Sequence, residues 1–598
     1  MNKIKERIAA LRRVMEREGL GAFVFPSTDA HNSEYVADHW KGREWISGFN
    51  GSAGTVVVTT HAAALWTDSR YFIAAEEQLQ GTGIELMRLK VAGTPTIVDW
   101  LSEQMREEKH RVLGLDGWVN SAEEVRGLQM ELSGCGIELR TDFDPLTEIW
   151  TDRPQLPRAK VELQPLEFAG ETTESKLGRI RKSLGKQQVE AMLVSALDDI
   201  AWTLNLRGAD VHCNPVFISY LLIRSDDAIL FVNEEKLTAD VRQYLADNRV
   251  SVQPYTAVAD YLHAHHSEGG LLIDSQETPC HLASSALDSG SMVKFAPSPI
   301  PAMKAVKNKA EVDGFHKAMV RDGVALVKFL RWLLPAVEAG GQTEMSLDRK
   351  LTALRAEQEL FRGISFDTIV GYEAHGAIVH YEATPETDAP IEPHGLVLID
   401  SGAQYQDGTT DITRTIALGP VTEEQRRVYT LVLKAHIQLE LAKFPDGCNG
   451  TQIDALAREP LWRAGLNYLH GTGHGVGSYL NVHEGPHQVR MEYKPAPLHA
   501  GMTITDEPGI YLSNRFGVRI ENTLLIKEYM ETELGKYLQM EPLTLCPIDL
   551  TPVDFGLLTD EEKLWVDNYH QLVYDRLAPH LDGKDLEWLR EHCQPVEK

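Results

Sequence analysis

The sequence predicts an α/β (α+β) protein of three domains: two related α/β domains, then a third that carries the chemistry. Length is the first reason. A chain of 598 residues exceeds what one hydrophobic core supports, at about 150 residues per domain. The second is a weak internal repeat of helix, strand, short loop, strand, strand and a further helix. The third is a change of character after Lys304, where long helical patterns alternate with strands that end in acidic residues and histidines.

The chain opens on a stretch whose apolar residues Ile4, Ile8, Leu11 and Met15 recur at helical spacing, which predicts an amphipathic first helix. It has no uninterrupted apolar core of the kind a signal peptide carries. Ala22–Phe25 with Asp29, then Trp45–Phe49, then Ala63–Trp66 read as strands of the first copy. A second helical stretch, Ser175–Gln188, opens the second copy. Ala191–Val194 with Asp198, then Trp202–Leu206, then Ala228–Phe231 follow it in the same order. Pro-containing joints at Asp152–Pro157 and Ala296–Pro301 divide the chain into domain I (1–155), domain II (156–300) and a third domain (301–598).

In the third domain, Glu311–Leu334, Met345–Leu360 and Glu423–Leu441 read as helices. Between them, Val397-Leu398-Ile399 ends abruptly in Asp400, and a second alternating run begins at Asp411. Asp407-Gly408 supplies the turn signal between the two. An Asp is common in turns, but the anomaly repeats. His474 stands among the glycines of GTGHGVG, Glu507 follows the strand-like Met502–Ile504, and Glu521 lies inside the alternating run Phe516–Asn522. The tail shows a capping box, Thr559 with Glu562, ahead of Trp565, Tyr569, Leu572, Val573 and Leu577 at helical spacing. A short helix around Leu586–Leu589 closes the chain. These tail helices fit either a cover over the third domain or a subunit contact.

Composition is that of a soluble globular protein, with 43 % hydrophobic and 24 % charged residues. The formal charge of −28 argues against non-specific nucleic-acid binding, which needs a basic face. No run approaches the ~20 apolar residues of a membrane-spanning helix. Six cysteines are scattered without a CxxC pair, which suggests reduced thiols and a cytoplasmic protein.

Asp400, Asp411, His474, Glu507 and Glu521 form a metal-ligand inventory. Four carboxylates and one imidazole carry charge enough to balance two divalent cations. Oxygen-rich donors with one His suit Mn²⁺ or Co²⁺ better than a thiolate-bound zinc. Two such ions share a water, lower its pKa toward ~7 and polarise a scissile carbonyl. His380, His470 and His483 fall near these residues in sequence. A lone His is more often structural, but hydrolysis needs donors for the oxyanion and the leaving amine. Arg519, two residues before Glu521, is expected on the same strand face, where it orients a ligand or pairs with one.

The order Asp, Asp, His, Glu, Glu, with GTGHGVG, NVHEGP, TDEPG and VRIEN, resembles the pita-bread metallopeptidases: methionine aminopeptidase, prolidase and aminopeptidase P. The segments DAHNSEY, SGFNGSAGT, WTDSRYF, NLRG, VLIDSGAQY and EPLTLCPIDL extend the likeness over nearly the whole chain. They are similar to the three-domain, eukaryotic-type cytosolic Xaa-Pro aminopeptidases. The resemblance implies two creatinase-like N-terminal domains ahead of a pita-bread catalytic domain with a C-terminal helical extension. It implies that Asp400 chelates one ion, that His474 and Glu507 bind the other, and that Asp411 and Glu521 bridge them. Glu507, His483 and His380 would be catalytic, Glu507 by taking the proton of the nucleophilic water and His483 by stabilising the tetrahedral intermediate. Arg70, His380, His470, His483 and Arg519 would contact substrate. It further implies Mn²⁺ as the activating ion, with Co²⁺ or Zn²⁺ as alternatives, and a homodimer acting on peptides with proline at position two. Two other readings stand beside it: a prolidase-like Xaa-Pro dipeptidase, and a non-catalytic peptide-binding pita-bread protein, whose mark would be lost ligands.

Overall fold

The computed structural model describes residues 3–596. It divides into two compact units. One holds the chain up to Gln164 together with Glu171–Ile300; the other holds Pro165–Gly170 and the chain from Pro301 onward.

The first unit contains two six-stranded mixed sheets with one topology. In the first sheet the central strand Ala22–Phe25 pairs antiparallel with Thr55–Thr59 and parallel with Val112–Gly114. In the second, Ala191–Val194 pairs antiparallel with Ser219–Ile223 and parallel with Leu271–Ile273. Ala63–Thr67 with Glu85–Arg88, and Ala228–Val232 with Val250–Gln253, extend the two sheets in the same sense. Both central strands are buried at every residue, as expected where helices cover both faces. The internal repeat is therefore real. The two halves are joined through His31, whose ring nitrogens lie 2.9 Å from Ser195 O and 2.9 Å from the Tyr255 hydroxyl.

Two expected strands are helical instead. Trp45–Ser47 ends the helix Gly42–Ser47, which Gly48 closes at φ 76°. Trp202–Leu204 ends the helix Leu197–Leu204, closed by Asn205 at φ 50°. A run of three or four apolar residues has no period long enough to separate helix from strand. The second strands of the repeat are Thr55–Thr59 and Ser219–Ile223.

The second unit surrounds small antiparallel sheets with helices Lys309–Ala339, Glu344–Ala356, Glu423–Glu440 and Gly450–Trp462. Leu396–Ser401 is the middle strand of one sheet, between Ile369–Tyr372 and Ile412–Ala417. Thr503–Asp506 pairs with Asn522–Thr532 in another. The tail helix Asp560–Leu577 begins at the expected capping box and buries Trp565, Val566, Tyr569, Val573 and Leu577 in the same core as Val428, Val432 and Ile437. The tail is thus a cover over its own unit.

Candidate metal centre

The site forms where strand ends of the second unit converge. Asp400 is the fifth residue of Leu396–Ser401 and pairs with Thr413, so Asp411 enters just ahead of the partner strand. Between them the chain makes a smaller hairpin, Ala403–Tyr405 on Gly408–Thr409, whose Asp407 binds Arg321 instead of joining the site. Glu507 leaves the end of Thr503–Asp506 and donates its backbone N–H to Thr472 O at 2.8 Å. Glu521 does not lie inside a strand, as the alternation suggested. It sits in a break between Phe516–Arg519 and Asn522–Thr532, where its N–H is diverted to Thr413 O at 3.1 Å. That diversion carries the carboxylate to the Asp411 strand.

His474 is the middle residue of Gly473–Gly475. Its glycine neighbour is a steric requirement, because a Cβ on Gly473 would lie 1.9 Å from Thr505 O. The close approach lets His474 N donate to Thr505 Oγ1 at 3.0 Å. His474 Nδ1 lies 2.8 Å from Gly475 O, so Nε2 faces the carboxylates, 3.4 Å from Asp411 Oδ2 and 3.4 Å from Glu507 Oε1.

Donor atoms of Asp400, Asp411 and Glu521 lie within 4.8 Å of one another, and so do those of His474, Glu507 and Glu521. Donors sharing one ion at bonds of about 2.0–2.2 Å fall within roughly twice that distance. The two triads share Glu521, the arrangement that two neighbouring ions require. Asp400 Oδ1 is buried with no hydrogen-bond partner, which fits an oxygen meant for a cation.

Electrostatics agree. Burial, followed by repulsion from Asp400 and Glu507, holds the Asp411 carboxyl well above its usual range. Burial and then Asp411, Asp400 and Glu507 do the same to Glu521. Burial, with Asp400 adding to it and Arg519 opposing it, raises Glu507 to about 7. Four carboxylates in contact cannot all ionise unless positive charge joins them. Arg519 supplies one such charge, gripping Asp400 Oδ2 through Nε at 3.2 Å and Nη2 at 2.7 Å. The donor set therefore fits two divalent cations.

Of the histidines, His483 is nearest the donors. Its ring meets that of His474 edge-on at 4.4 Å, and a ring nitrogen falls within 4.8 Å of donors on Asp411 and His474. His470 Nε2 lies 2.9 Å from the Tyr511 hydroxyl, which accepts from Arg519 Nη1 at 2.8 Å. A hydrogen-bonded chain thus runs from His470 through Tyr511 and Arg519 to Asp400. His380 stands in a turn, beside the Val379 carbonyl that accepts from Arg519 Nη2 at 3.3 Å. Arg70 belongs to the first unit, where Nε and Nη2 pair with Asp68 at 2.9 and 2.8 Å.

Three participants escaped the sequence reading. Thr413 Oγ1 donates to Glu521 Oε2 at 2.7 Å, and Thr505 Oγ1 to Glu507 Oε1 at 3.4 Å. Each is two residues from a candidate ligand, Thr413 from Asp411 and Thr505 from Glu507, a spacing that was available as a signal. Tyr511 was not legible, since it returns to the site across the turn between Gly509–Leu512 and Phe516–Arg519.

Comparison with known proteins gives a consistent result. The profile of "Metallopeptidase family M24" matches residues 313–528, and that of its C-terminal region matches 536–596. Two "Creatinase/Prolidase N-terminal domain" profiles match 7–149 and 152–311. The probable Xaa-Pro aminopeptidase P of Laccaria bicolor is 41 % identical, over 99 % of this chain and 93 % of its own length. Xaa-Pro aminopeptidase 1 of Dictyostelium discoideum is 38 % identical, over 99 % and 97 %. The crystal structure of X-prolyl aminopeptidase from Caenorhabditis elegans, described as a cytosolic enzyme with a di-nuclear active site, superposes with a TM-score of 0.94. It is 35 % identical, over all of both chains.

Proposed function

The chain belongs to metallopeptidase family M24, among the Xaa-Pro aminopeptidases, and from that premise we propose that it removes the first residue of peptides whose second residue is proline. The observation that carries the reading is the pair of donor triads sharing Glu521, with carboxylates too crowded to ionise alone.

In this reading Asp400 would hold one ion and His474 and Glu507 the other, with Asp411 and Glu521 serving both. Oxygen donors with a single imidazole suit Mn²⁺ or Co²⁺ better than a thiolate-bound zinc, and the family resemblance puts Mn²⁺ ahead of Co²⁺ or Zn²⁺. Bound there, the two ions supply Lewis acidity that polarises the scissile carbonyl and acidifies the attacking water. The chain does the rest. Arg519 fixes Asp400 by Oδ2 and leaves Oδ1 for its ion. Glu507 has the most open carboxylate, with 19 % of its side chain exposed against 5 % for Asp411, so it takes the water's proton and returns it to the leaving nitrogen. His483, against His474, donates to the oxygen that becomes negative in the tetrahedral state. His380 and His470 line the substrate side. Proline's tertiary amide has no N–H for the site to satisfy, which leaves ring contacts and protonation of the leaving nitrogen to discriminate.

Arg70 enters as a substrate contact through the family resemblance alone; long peptides cleaved unchanged by Arg70→Ala remove it from the reading. A homodimer formed by the catalytic domain and a cytoplasmic location complete the proposal. No disulfide joins the cysteines of the described residues, which supports the second. No helix among the described residues is long and apolar enough to cross a membrane.

The test is product analysis on an Xaa-Pro-Pro tripeptide and an Xaa-Pro dipeptide, with the chelated protein and after Mn²⁺ is restored. Release of the free first residue from the tripeptide, only with metal, supports the proposal. Cleavage confined to the dipeptide makes the protein a prolidase-type dipeptidase, and metal uptake without cleavage makes it a binding protein.

A further inference from the structure

Behind the metal centre lies a second polar cluster that no step above uses. The helix Glu423–Glu440 carries His436 and Glu440 one turn apart, hence on one face, and both are buried. That face meets the strand pair Thr503–Asp506 and Asn522–Thr532 at its last rung, where Asp506 opposes Asn522. Asp506 immediately precedes Glu507, and Asn522 immediately follows Glu521. The rung is therefore the backbone contact that flanks the two ligands on this side, before pairing resumes at Gly509 opposite Arg519. Beyond it the Glu507 N–H turns to Thr472 O and the Glu521 N–H to Thr413 O.

His436 bridges this rung. Its Nδ1 lies 3.3 Å from the Asp506 main-chain O, and Asn522 Nδ2 lies 3.3 Å from Nε2. One ring nitrogen donates and the other accepts, so a single neutral tautomer serves both contacts. Glu440 Oε1 accepts from Asn522 Nδ2 at 2.8 Å, while Arg414 Nη2 and the Tyr569 hydroxyl donate to Asn522 Oδ1 at 2.9 and 3.2 Å. Trp565 packs edge-on against the imidazole at 5.6 Å. The ring is thus held from every side named here.

We propose that His436 is a positioning residue of the metal centre: it fixes Asp506 and Asn522 against each other and so sets the separation of Glu507 and Glu521, the ligands attached to them. A helix meeting a buried strand pair needs no polar groups for packing. Burying a His, two carboxylates and an Asn there is unfavourable unless their hydrogen bonds serve a geometry. The competing occupant is a third cation, because Asp506 Oδ1 and Oδ2 and Glu440 Oε2 have no hydrogen-bond partner. One donor atom from each of His436, Glu440 and Asp506 does lie within 4.8 Å of the others. Against the ion, both ring nitrogens are already engaged, Nδ1 on Asp506 O and Nε2 on Asn522 Nδ2, so a cation would have to displace one of these contacts.

The inference rests on the two-ion reading, and the experiment separates the two. Mn²⁺ is titrated into chelated full-length protein, with bound ions counted per chain and the spin-coupled pair followed by electron paramagnetic resonance. Wild type should take up two ions and show the pair signal; fewer ions, or no pair, sinks the two-ion reading and this inference with it. His436→Ala should weaken Mn²⁺ binding about 10- to 100-fold and lose the pair signal, the range usual for groups that orient ligands. His436→Gln keeps a donor and an acceptor and should regain most of the affinity. It also keeps the test alive should the alanine variant fail to fold. A variant that binds two ions at wild-type affinity with the pair signal intact, or a Gln variant no better than Ala, overturns the proposal. So does a wild type with three ions from which His436→Ala removes only the third, which would make the cluster a cation site.

Discussion

Asp411 and Glu521 are both held well above the usual carboxylate range, by burial first and then by the charges of neighbouring carboxylates. Removing either charge should loosen both ions, so Asp411→Asn and Glu521→Gln should each lower turnover far more than about tenfold and deplete metal. Near-wild-type turnover with two ions per chain would remove them from the bridging role. His483 tests a different assignment, because its ring nitrogen is close enough to Asp411 and His474 to be a ligand in its own right. Acting as a transition-state donor, it predicts for His483→Ala a fall in kcat much larger than any rise in KM, with metal content unchanged. Lost metal would make it a ligand. Residues of this kind were legible because ionisable side chains recur at the ends of apolar or alternating runs and in a glycine-rich segment, an arrangement that is costly without purpose. Tyr511 and His436 were not legible, since their contacts are made across a turn and between a helix and a sheet, and no spacing records such distances.

The tail helix shows what local chemistry reveals. Thr559 Oγ1 accepts from Glu562 N at 3.2 Å, and Glu562 Oε2 accepts from Thr559 N at 2.8 Å, so the capping box read in the sequence is present in full. The helix also braces the site from behind, through the Tyr569 hydroxyl on Asn522 and on the carbonyls of Thr544 and Cys546. Thr559→Ala should cost about 1 kcal/mol of stability, within the usual range for a lost cap, as read by denaturant unfolding. The kcat should stay unchanged, because the cap lies nearly three turns from Tyr569; a large drop in kcat at equal stability would contradict that. Short elements were harder. Trp45–Phe49 and Trp202–Leu206 look like strands by composition, and only the left-handed Gly48 and Asn205 betray the helices they end. The break at Glu521 was hidden for a related reason: the alternation continues through it, while the backbone hydrogen bond that bends the chain goes to a strand about a hundred residues away.

At the scale of the molecule, the internal repeat was visible as a faint echo of helix and strands, and it proves to be one sheet topology used twice. The second unit holds every donor of the centre, brought together from Asp400 to Glu521 by strand ends that no single window of sequence contains. Because those donors repel one another, the metal-free protein should unfold at a lower temperature than the loaded one. At a free Mn²⁺ concentration 100 times its Kd, each site adds about 2.7 kcal/mol. Calorimetry before and after chelation measures the difference, and an unchanged Tm would mean that the ions bind elsewhere or not at all. The central claim, a two-ion enzyme that releases the residue ahead of proline, is tested most directly by following products of an Xaa-Pro-Pro tripeptide as Mn²⁺ is titrated into the chelated protein. The account predicts that the free first residue and Pro-Pro appear together, at a rate that levels off at two ions per chain. Release of the Xaa-Pro dipeptide, cleavage that ignores the metal, or no cleavage once two ions are bound would contradict it.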